Sequence, residues 1–377
     1  MKTINALNKN DLNGKKVLLR VDFDVPVVSG KILESFRIES QKPMVDYLIE
    51  NGANVVMCAH ISSIDSFESI VSQIGDVLKH EIKFLPLNSL LGDEHPVIGG
   101  LVLADNLRQN LGEKENSKDF AEKLASGFDL YVNNAFAVCH REHASVSAIT
   151  EFLPSYGGLL IEKEIKNLGR ALSEPAEGKT LVLGGAKIST KLPVINNFFE
   201  KSEKILVGGA LANNFFLQIL GIDIGASVVD NKVKVEVKSE KIILPEDVLI
   251  GYDKKGEKEV MTSEVEDVGE GGFIADLGPK SAQKFSDIIK SSKMVIWNGP
   301  LGFAEVEKFS HGTNIVAKAI AESGADSIIG GGDTITAVNK LGLLDKYSYV
   351  STGGGAMLSF LAGEKLPGLE ALDYYKS

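Results

Sequence analysis

Short runs of β-branched and other apolar residues alternate with longer stretches whose apolar positions recur at helical spacing, almost throughout the chain. KKVLLRVDF (15–23), ANVVMCAH (53–60), FDLYVNNAF (128–136), KTLVLGG (179–185), EKILVGG (203–209), KMVIWNG (293–299), DSIIGGG (326–332) and YSYVSTGG (347–354) read as strands. Between them, RIESQKPMVDYLIENG (37–52) and TNIVAKAIAESG (313–324) read as amphipathic helices. Strands apolar on both faces, alternating with helices, predict parallel sheets covered by helices. There are too many such units for one sheet, so the pattern predicts two doubly wound lobes. GLLIEKEIKNLGRALSEPAEG (158–178) carries helical spacing and then Ser-Glu-Pro, so one helix ending at a linker predicts a boundary near 160–175. NKVKVEVKSEKIILPEDVLIGYDKKGEKEV (231–260) alternates apolar and charged residues, which predicts antiparallel hairpins with a solvated face.

Composition narrows this picture. The length of 377 residues fits two domains of about 150 residues or more. A net charge of −11 argues against a nucleic-acid surface or an anionic membrane as partner, while leaving room for a local basic pocket. No apolar run reaches the ~20 residues of a membrane span. MKTINALNKNDLNG lacks the apolar core of a signal peptide. The expectation is a soluble, cytoplasmic protein whose two cysteines, Cys58 and Cys139, are reduced and buried.

Candidate chemistry clusters in three places. WNGPLGFAEVEKF (297–309), GGGDT (330–334) and STGGGA (351–356) lie within 60 residues. The first two follow the runs MVIW and SIIG, and glycine there lets backbone N–H groups approach phosphate oxygens. Asp333 is placed for a metal ion that travels with a nucleotide, and Glu305 is a candidate acceptor for ribose hydroxyls. In GGAKISTKL (184–192), Lys187 and Lys191 read as one face of a starting helix. Two ammonium groups there are unfavourable unless an anion compensates them. The spacing of a Walker A loop is absent.

The third cluster lies in the N-terminal half. Arg20, Asp22 and Asp24 end the first strand, His60 ends the second, and Arg37 opens the next helical pattern. Arg108 follows DNL, and His140, Arg141 and His143 form a further group. Any one of these taken alone reads more readily as a surface or ion-paired residue. Placed together at strand C-termini, where open α/β sheets bind ligands, they predict a basic pocket for phosphate and carboxylate groups.

These stretches closely resemble the phosphoglycerate kinase family over nearly the whole chain. RVDFDVP is similar to that family's RVDFNVP, DNLR to ENLR, and YVNNAFAVCHREHAS to YVNDAFGTAHRAHAS. LGGAKISTKL, VGGALANNF, DLGPK, WNGPLGFAEVEKF, GGGDT and STGGGAMLSFLAGEKLPGLEAL match in order and spacing. The resemblance implies an α/β fold of two Rossmann-like doubly wound parallel-sheet lobes joined by a linker helix. It places a phosphoglycerate-binding lobe at 1–159 with a C-terminal return at 363–377, an interdomain helix at 160–174 and a nucleotide-binding lobe at 175–362. It implies phosphoryl transfer between 1,3-bisphosphoglycerate and MgADP, giving 3-phosphoglycerate and MgATP. Asp22, Phe23, Asp24, Arg37, His60, Arg108 and Arg141 match the substrate site. Lys191, Glu305, Gly331, Gly332, Asp333 and Thr334 match the nucleotide site. Arg37, Lys187 and Lys191 would act on the moving phosphoryl group, and Asp333 would be linked to Mg²⁺. The family implies a monomer with neither a nucleic-acid nor a membrane partner.

An acyl phosphate is already a high-energy donor, so the implied task is in-line alignment, charge compensation and exclusion of water by lobe closure about the helix near 160–173. The departures fall on the substrate side. Where the family reads HLGRP, this chain has HISSID, so Ser62 and Ser63 replace a glycine and an arginine and the loop is shortened. Asp24 replaces asparagine, and Asn134 and Ala137 replace aspartate and glycine. One lost charge-assisted bond, ~1.5–3 kcal/mol, is ~10- to 150-fold in affinity. Two readings follow: an active kinase with a weakened phosphate clamp, or a divergent nucleotide-binding homologue that does not turn over 3-phosphoglycerate. A dehydrogenase is disfavoured, because no G-x-G-x-x-G opens a helix.

Overall fold

A computed structural model describes residues 1–92 and 99–376. Among the described residues seventeen strands follow in chain order: β1 Lys16–Arg20, β2 Val27–Val28, β3 Lys31–Ile32, β4 Asn54–Cys58, β5 Lys83–Leu85, β6 Leu101–Ala104, β7 Leu130–Asn133, β8 Ser155–Gly157, β9 Lys179–Leu183, β10 Lys204–Val207, β11 Ile242–Ile243, β12 Asp247–Gly251, β13 Met261–Glu264, β14 Phe273–Leu277, β15 Met294–Asn298, β16 Asp326–Gly330 and β17 Tyr349–Ser351. The chain divides into two compact units, Met1–Lys166 with the C-terminal segment from Lys365, and Asn167–Glu364. Ser377, the end of the expected return segment, lies outside the described residues.

The first unit holds a six-stranded sheet in the order β5-β6-β4-β1-β7-β8, every pair parallel. Its faces bury alternate residues of the same strands. Val17, Leu19, Val55 and Met57 pack on one side with Met44, Val45 and Leu48 of the helix Lys42–Glu50. Leu18, Val56, Cys58 and Tyr131 pack on the other. This explains why the strands read as continuous apolar runs. The stretch 37–52, read as one helix, is two: Phe36–Glu39 and Lys42–Glu50. Pro43 stands in the first turn of the second, where its missing N–H costs nothing, whereas continuing the first would clash with a carbonyl one turn earlier.

The second unit holds a parallel sheet in the order β11-β10-β9-β15-β16-β17, around a core containing Trp297, Val182, Leu206, Val295 and Ile329. A three-stranded antiparallel sheet, β13-β12-β14, accompanies it. The alternating run at 231–238 is not a strand. Side-chain amides take the place of a strand neighbour there: Gln218 Nε2 donates to the Val233 carbonyl at 3.0 Å, and its Oε1 accepts from Val235 N at 2.9 Å. The expected hairpin occurs further on, between β12 and β13.

The helix Leu159–Ser173 spans 15 residues and stops two residues before Pro175. Lys179 Nζ caps its end, donating to the carbonyls of Ala171 at 2.7 Å and Glu174 at 2.6 Å. No helix among the described residues is long and apolar enough to cross a membrane. Both cysteines are buried free thiols, pushed up to about 12 by burial.

Candidate active site

In the first sheet the chain runs outward from β1 through β4 and then returns to β7 on the other side. The crevice of such a sheet lies at the strand C-termini beside that reversal. Arg20 ends β1, His60 follows β4, Arg108 follows β6, and Arg141 and His143 follow β7.

Arg20 is fully buried. Its Nε donates to Ser145 Oγ at 2.9 Å, its Nη1 to the Val21 carbonyl, and its Nη2 lies 3.1 Å from His60 Nδ1. Ser145 passes this on to the buried carboxylate of Glu113, through its hydroxyl at 2.7 Å and its N–H at 2.9 Å. A guanidinium only donates, so His60 Nδ1 accepts and Nε2 carries the proton. That Nε2 faces Asp24 Oδ2 at 3.2 Å. Burial lowers the His60 pKa and keeps the ring neutral. Burial alone would raise Asp24, but the adjacent His60 ring and hydrogen bonds from Ser62 outweigh it and hold the carboxyl well below the usual range.

Three arginines remain to meet a ligand. Arg37 Nη1 donates to the Asp24 carbonyl at 3.1 Å and lies 3.4 Å from Asp22 Oδ2, which steadies a half-buried head. Asp22 is itself buried, its Oδ1 accepting from Asp24 N at 3.2 Å. Arg108 Nη1 donates to Ser62 Oγ at 2.7 Å, and Arg141 Nε to His140 Nε2 at 3.3 Å. Burial and the neighbouring Arg141 charge both lower the Arg108 pKa, a mark of concentrated positive charge. His143 is pushed down to about 4 by burial and by Arg141, Arg108 and Arg20, against the pull of Glu113. Phe23 differs from the other expected residues: the residue is fully buried, its ring edge-on to Phe67 with centroids 6.4 Å apart, so its side chain belongs to the core.

The second sheet reads 3-2-1-4-5-6 in its own strand sequence, with the reversal between β9 and β15. Their terminal turns interlock. A Cβ at Gly184 would lie 2.1 Å from the Pro300 carbonyl oxygen, and one at Gly299 (φ +91°) 2.3 Å from the Gly184 oxygen. Gly185 N donates to the Pro300 carbonyl at 2.7 Å and Gly209 N to that of Leu301 at 2.9 Å. Lys191 is buried with its Nζ over Gly185, and burial lowers its pKa while the Asp333 charge opposes that. Lys187 is not on the same helical face. It is the exposed N-cap of the helix Ile188–Phe198, whereas Lys191 is turned into the protein. The i, i+4 expectation placed the helix start one residue too early.

Gly331 (φ +98°) leads into the helix Gly332–Lys340. Thr334 Oγ1 accepts from Gly299 N at 2.8 Å, so this hydroxyl oxygen ties the two glycine turns together. Glu305 and Asp333 are exposed and line one pocket with Gly185, Ala186, Pro300 and Asp276. Asp276, which sequence reasoning did not single out, is the penultimate residue of β14, with a carboxyl pushed up to about 7 by burial, although Gly312 N donates to it at 2.7 Å. Among the described residues no group of three or more His, Cys, Asp or Glu is gathered to hold a metal. A lone carboxylate at Asp333 suits Mg²⁺, which takes one or two protein carboxylates and completes its shell with phosphate oxygens and water.

Sequence reasoning also passed over the Glu113–Ser145 support of Arg20 and the role of Asp105 and Asn106. Asp105 accepts from Phe67 N at 2.9 Å, and Asn106 Nδ2 donates to the Ile61 carbonyl at 2.9 Å, fixing the loop after β4. The signal was present in DNLR, where two side chains able to bond to backbone precede the arginine.

The profile of the family described as Phosphoglycerate kinase matches residues 7–364. A phosphoglycerate kinase of Clostridium botulinum (strain Eklund 17B / Type B) is 39% identical over 385 residues, covering 96% of this chain and 97% of that protein. One of Thermosipho africanus is 40% identical over 388 residues, covering 96% of each. Among solved structures, phosphoglycerate kinase from Pyrococcus horikoshii OT3 superposes with a TM-score of 0.85 at 31% identity over 100% of both chains. That from Coxiella burnetii gives 0.82 at 31% identity, covering 100% of this chain and 99% of the other.

Proposed function

The chain belongs to the phosphoglycerate kinase family, and on that premise we propose how its residues carry out reversible phosphoryl transfer between 1,3-bisphosphoglycerate and ADP. The enzyme is a phosphotransferase whose acceptor is a carboxyl group. The observation that carries the residue assignment is that each unit sets cationic side chains beside the strand reversal of its own sheet, Arg108 and Arg141 in the first and the buried Lys191 in the second.

In the first unit, Arg108 and Arg141 take the phosphate of 3-phosphoglycerate. Asp22, Asp24 and His60 line its hydroxyl and carboxylate end, and Arg37 reaches the carboxyl that receives the phosphoryl group. In the second, the N–H groups of Gly331 and Gly332 and the helix they open take nucleotide phosphate, Glu305 holds ribose, and Lys191 and Lys187 neutralise charge on the moving group. Mg²⁺, held by Asp333 and the nucleotide phosphates, would supply further charge neutralisation. No side chain needs to act as a nucleophile. The protein orients donor and acceptor and excludes water, which otherwise hydrolyses the acyl phosphate. We assign the hinge to the helix Leu159–Ser173, which the two units share. The enzyme works as a cytoplasmic monomer. Its phosphate clamp is weaker than the family's, because Ser63 stands where an arginine does and its hydroxyl donates to the Val25 carbonyl at 2.8 Å.

Calorimetric titration with 3-phosphoglycerate and with MgADP, separately, tests this reading. The kinase binds both, and Arg141→Ala loses about tenfold or more in affinity for the first only. Nucleotide binding without 3-phosphoglycerate binding would favour the divergent homologue instead.

A further inference from the structure

In the loop after β4, where Ser62 and Ser63 stand in place of the family's glycine and arginine, polar groups are linked from Asp24 through Ser62 to Arg108. Ser62 N donates to Asp24 Oδ1 at 2.8 Å, and the Ser62 hydroxyl donates to Asp24 Oδ2 at 3.3 Å. His60 Nε2 faces the same Oδ2 at 3.2 Å. The lone pair left on Ser62 Oγ accepts from Arg108 Nη1 at 2.7 Å. Both Asp24 oxygens are thus engaged by protein donors, and its charge is directed into the loop.

Asparagine, the family's residue at position 24, does not fit this relay. Placed at Oδ1, its NH₂ would face the Ser62 N–H. Placed at Oδ2, it would face the His60 Nε2–H, which cannot move to Nδ1 because that atom accepts from Arg20. A carboxylate accepts from both the Ser62 N–H and its hydroxyl and sets negative charge opposite His60 Nε2, which lies at 3.2 Å without the alignment of a hydrogen bond. Arg108 has no other hydrogen bond from its head among the described residues, and its buried Nε lacks a partner. Ser62 is therefore what fixes the direction of the guanidinium.

We propose that Asp24 and Ser62 are positioning residues that aim Arg108 at the substrate phosphate, offsetting in part the arginine absent at position 63. They act by removing conformational freedom from one of the two remaining clamp arginines. The substitution from Asn to Asp, which looks like a charge misplaced beside an anion, is coupled to the serine loop. This rests on the assignment of Arg108 to the substrate phosphate.

The test is steady-state kinetics on the full chain. Ser62→Ala raises KM for 3-phosphoglycerate about threefold, with kcat and KM for MgATP within twofold of the parent, and Asp24→Asn, a change toward the family, raises that KM about tenfold. In an Arg108→Ala background Ser62→Ala loses its effect on KM. An Asp24→Asn enzyme with unchanged or lower KM overturns the inference, as does a Ser62→Ala effect that persists without Arg108. If Asp24→Asn is poorly folded by thermal melt, Ser62→Ala in both backgrounds decides alone. Failure of Arg108→Ala itself to raise KM would instead overturn the substrate-site assignment.

Discussion

Lys191 shows how a single residue couples burial to chemistry. Its ammonium is held in the protein at a cost that the Asp333 charge only partly offsets, and an incoming polyphosphate would offset more. Lys191→Met should lower kcat by about 100-fold or more, the scale of losing one preorganised electrostatic contact, while the melting temperature stays level or rises. A large loss of stability with kcat retained would contradict that role. Asp276 makes a pH prediction. Its folded pKa, raised by burial to about 7, lies above the ordinary 3.8. The folded state therefore holds a proton that the unfolded chain releases, so the contribution is full below the ordinary pKa and is lost as pH rises through about 7. Thermal melts of Asp276→Asn should show a flatter pH dependence between pH 4 and 7 than the parent. Equal slopes would rule this out. Asp276 was not legible as a site because DLGPK gives no hint that a glycine-lined wall surrounds the aspartate. Arg20 was visible at a strand end, but its support by Ser145 and Glu113 comes from residues 93 and more positions away.

At the level of elements, strand β15 and the turn after it report on the second unit directly, because Trp297 is the chain's single tryptophan. It is fully buried and its Nε1 donates to the Gly299 carbonyl at 2.8 Å. Gly184→Ala would press a methyl group into the Pro300 carbonyl facing it. It should cost roughly 1–3 kcal/mol, read as an earlier transition in tryptophan fluorescence on heating, with weaker MgADP binding. Eight strands were legible because each carries a short run of buried apolar residues set off by a charged residue before it or a glycine or polar turn after it. Strands β2, β3, β5, β8 and β11 were not, being two or three residues long, and β6 and β14 were passed over although every residue in them is buried. The run at 231–238 misled in the opposite direction: its period of two is real, but Gln218 satisfies the backbone that a neighbouring strand would have paired.

For the whole molecule, the helix Leu159–Ser173 carries the proposed motion. Gly169 lies inside it with open space where a Cβ would stand. Gly169→Ala should raise stability by about 0.5–1 kcal/mol and, if bending of this helix limits turnover, lower kcat without moving either KM. Unchanged kcat would place the hinge elsewhere. The two-lobe class was legible from alternation of strands and helices, and so was the gathering of arginines beyond the strand ends of the first sheet. What the sequence could not show was how the substrate loop is satisfied without its arginine, since that depends on which donors meet which acceptors in three dimensions. The direct measurement of the central claim is ATP-dependent phosphorylation of 3-phosphoglycerate, coupled to a dehydrogenase, over a wide substrate range. Saturating turnover that collapses in Arg37→Ala is the predicted result. Absence of turnover at any concentration, in a folded protein that still binds MgADP, would contradict it.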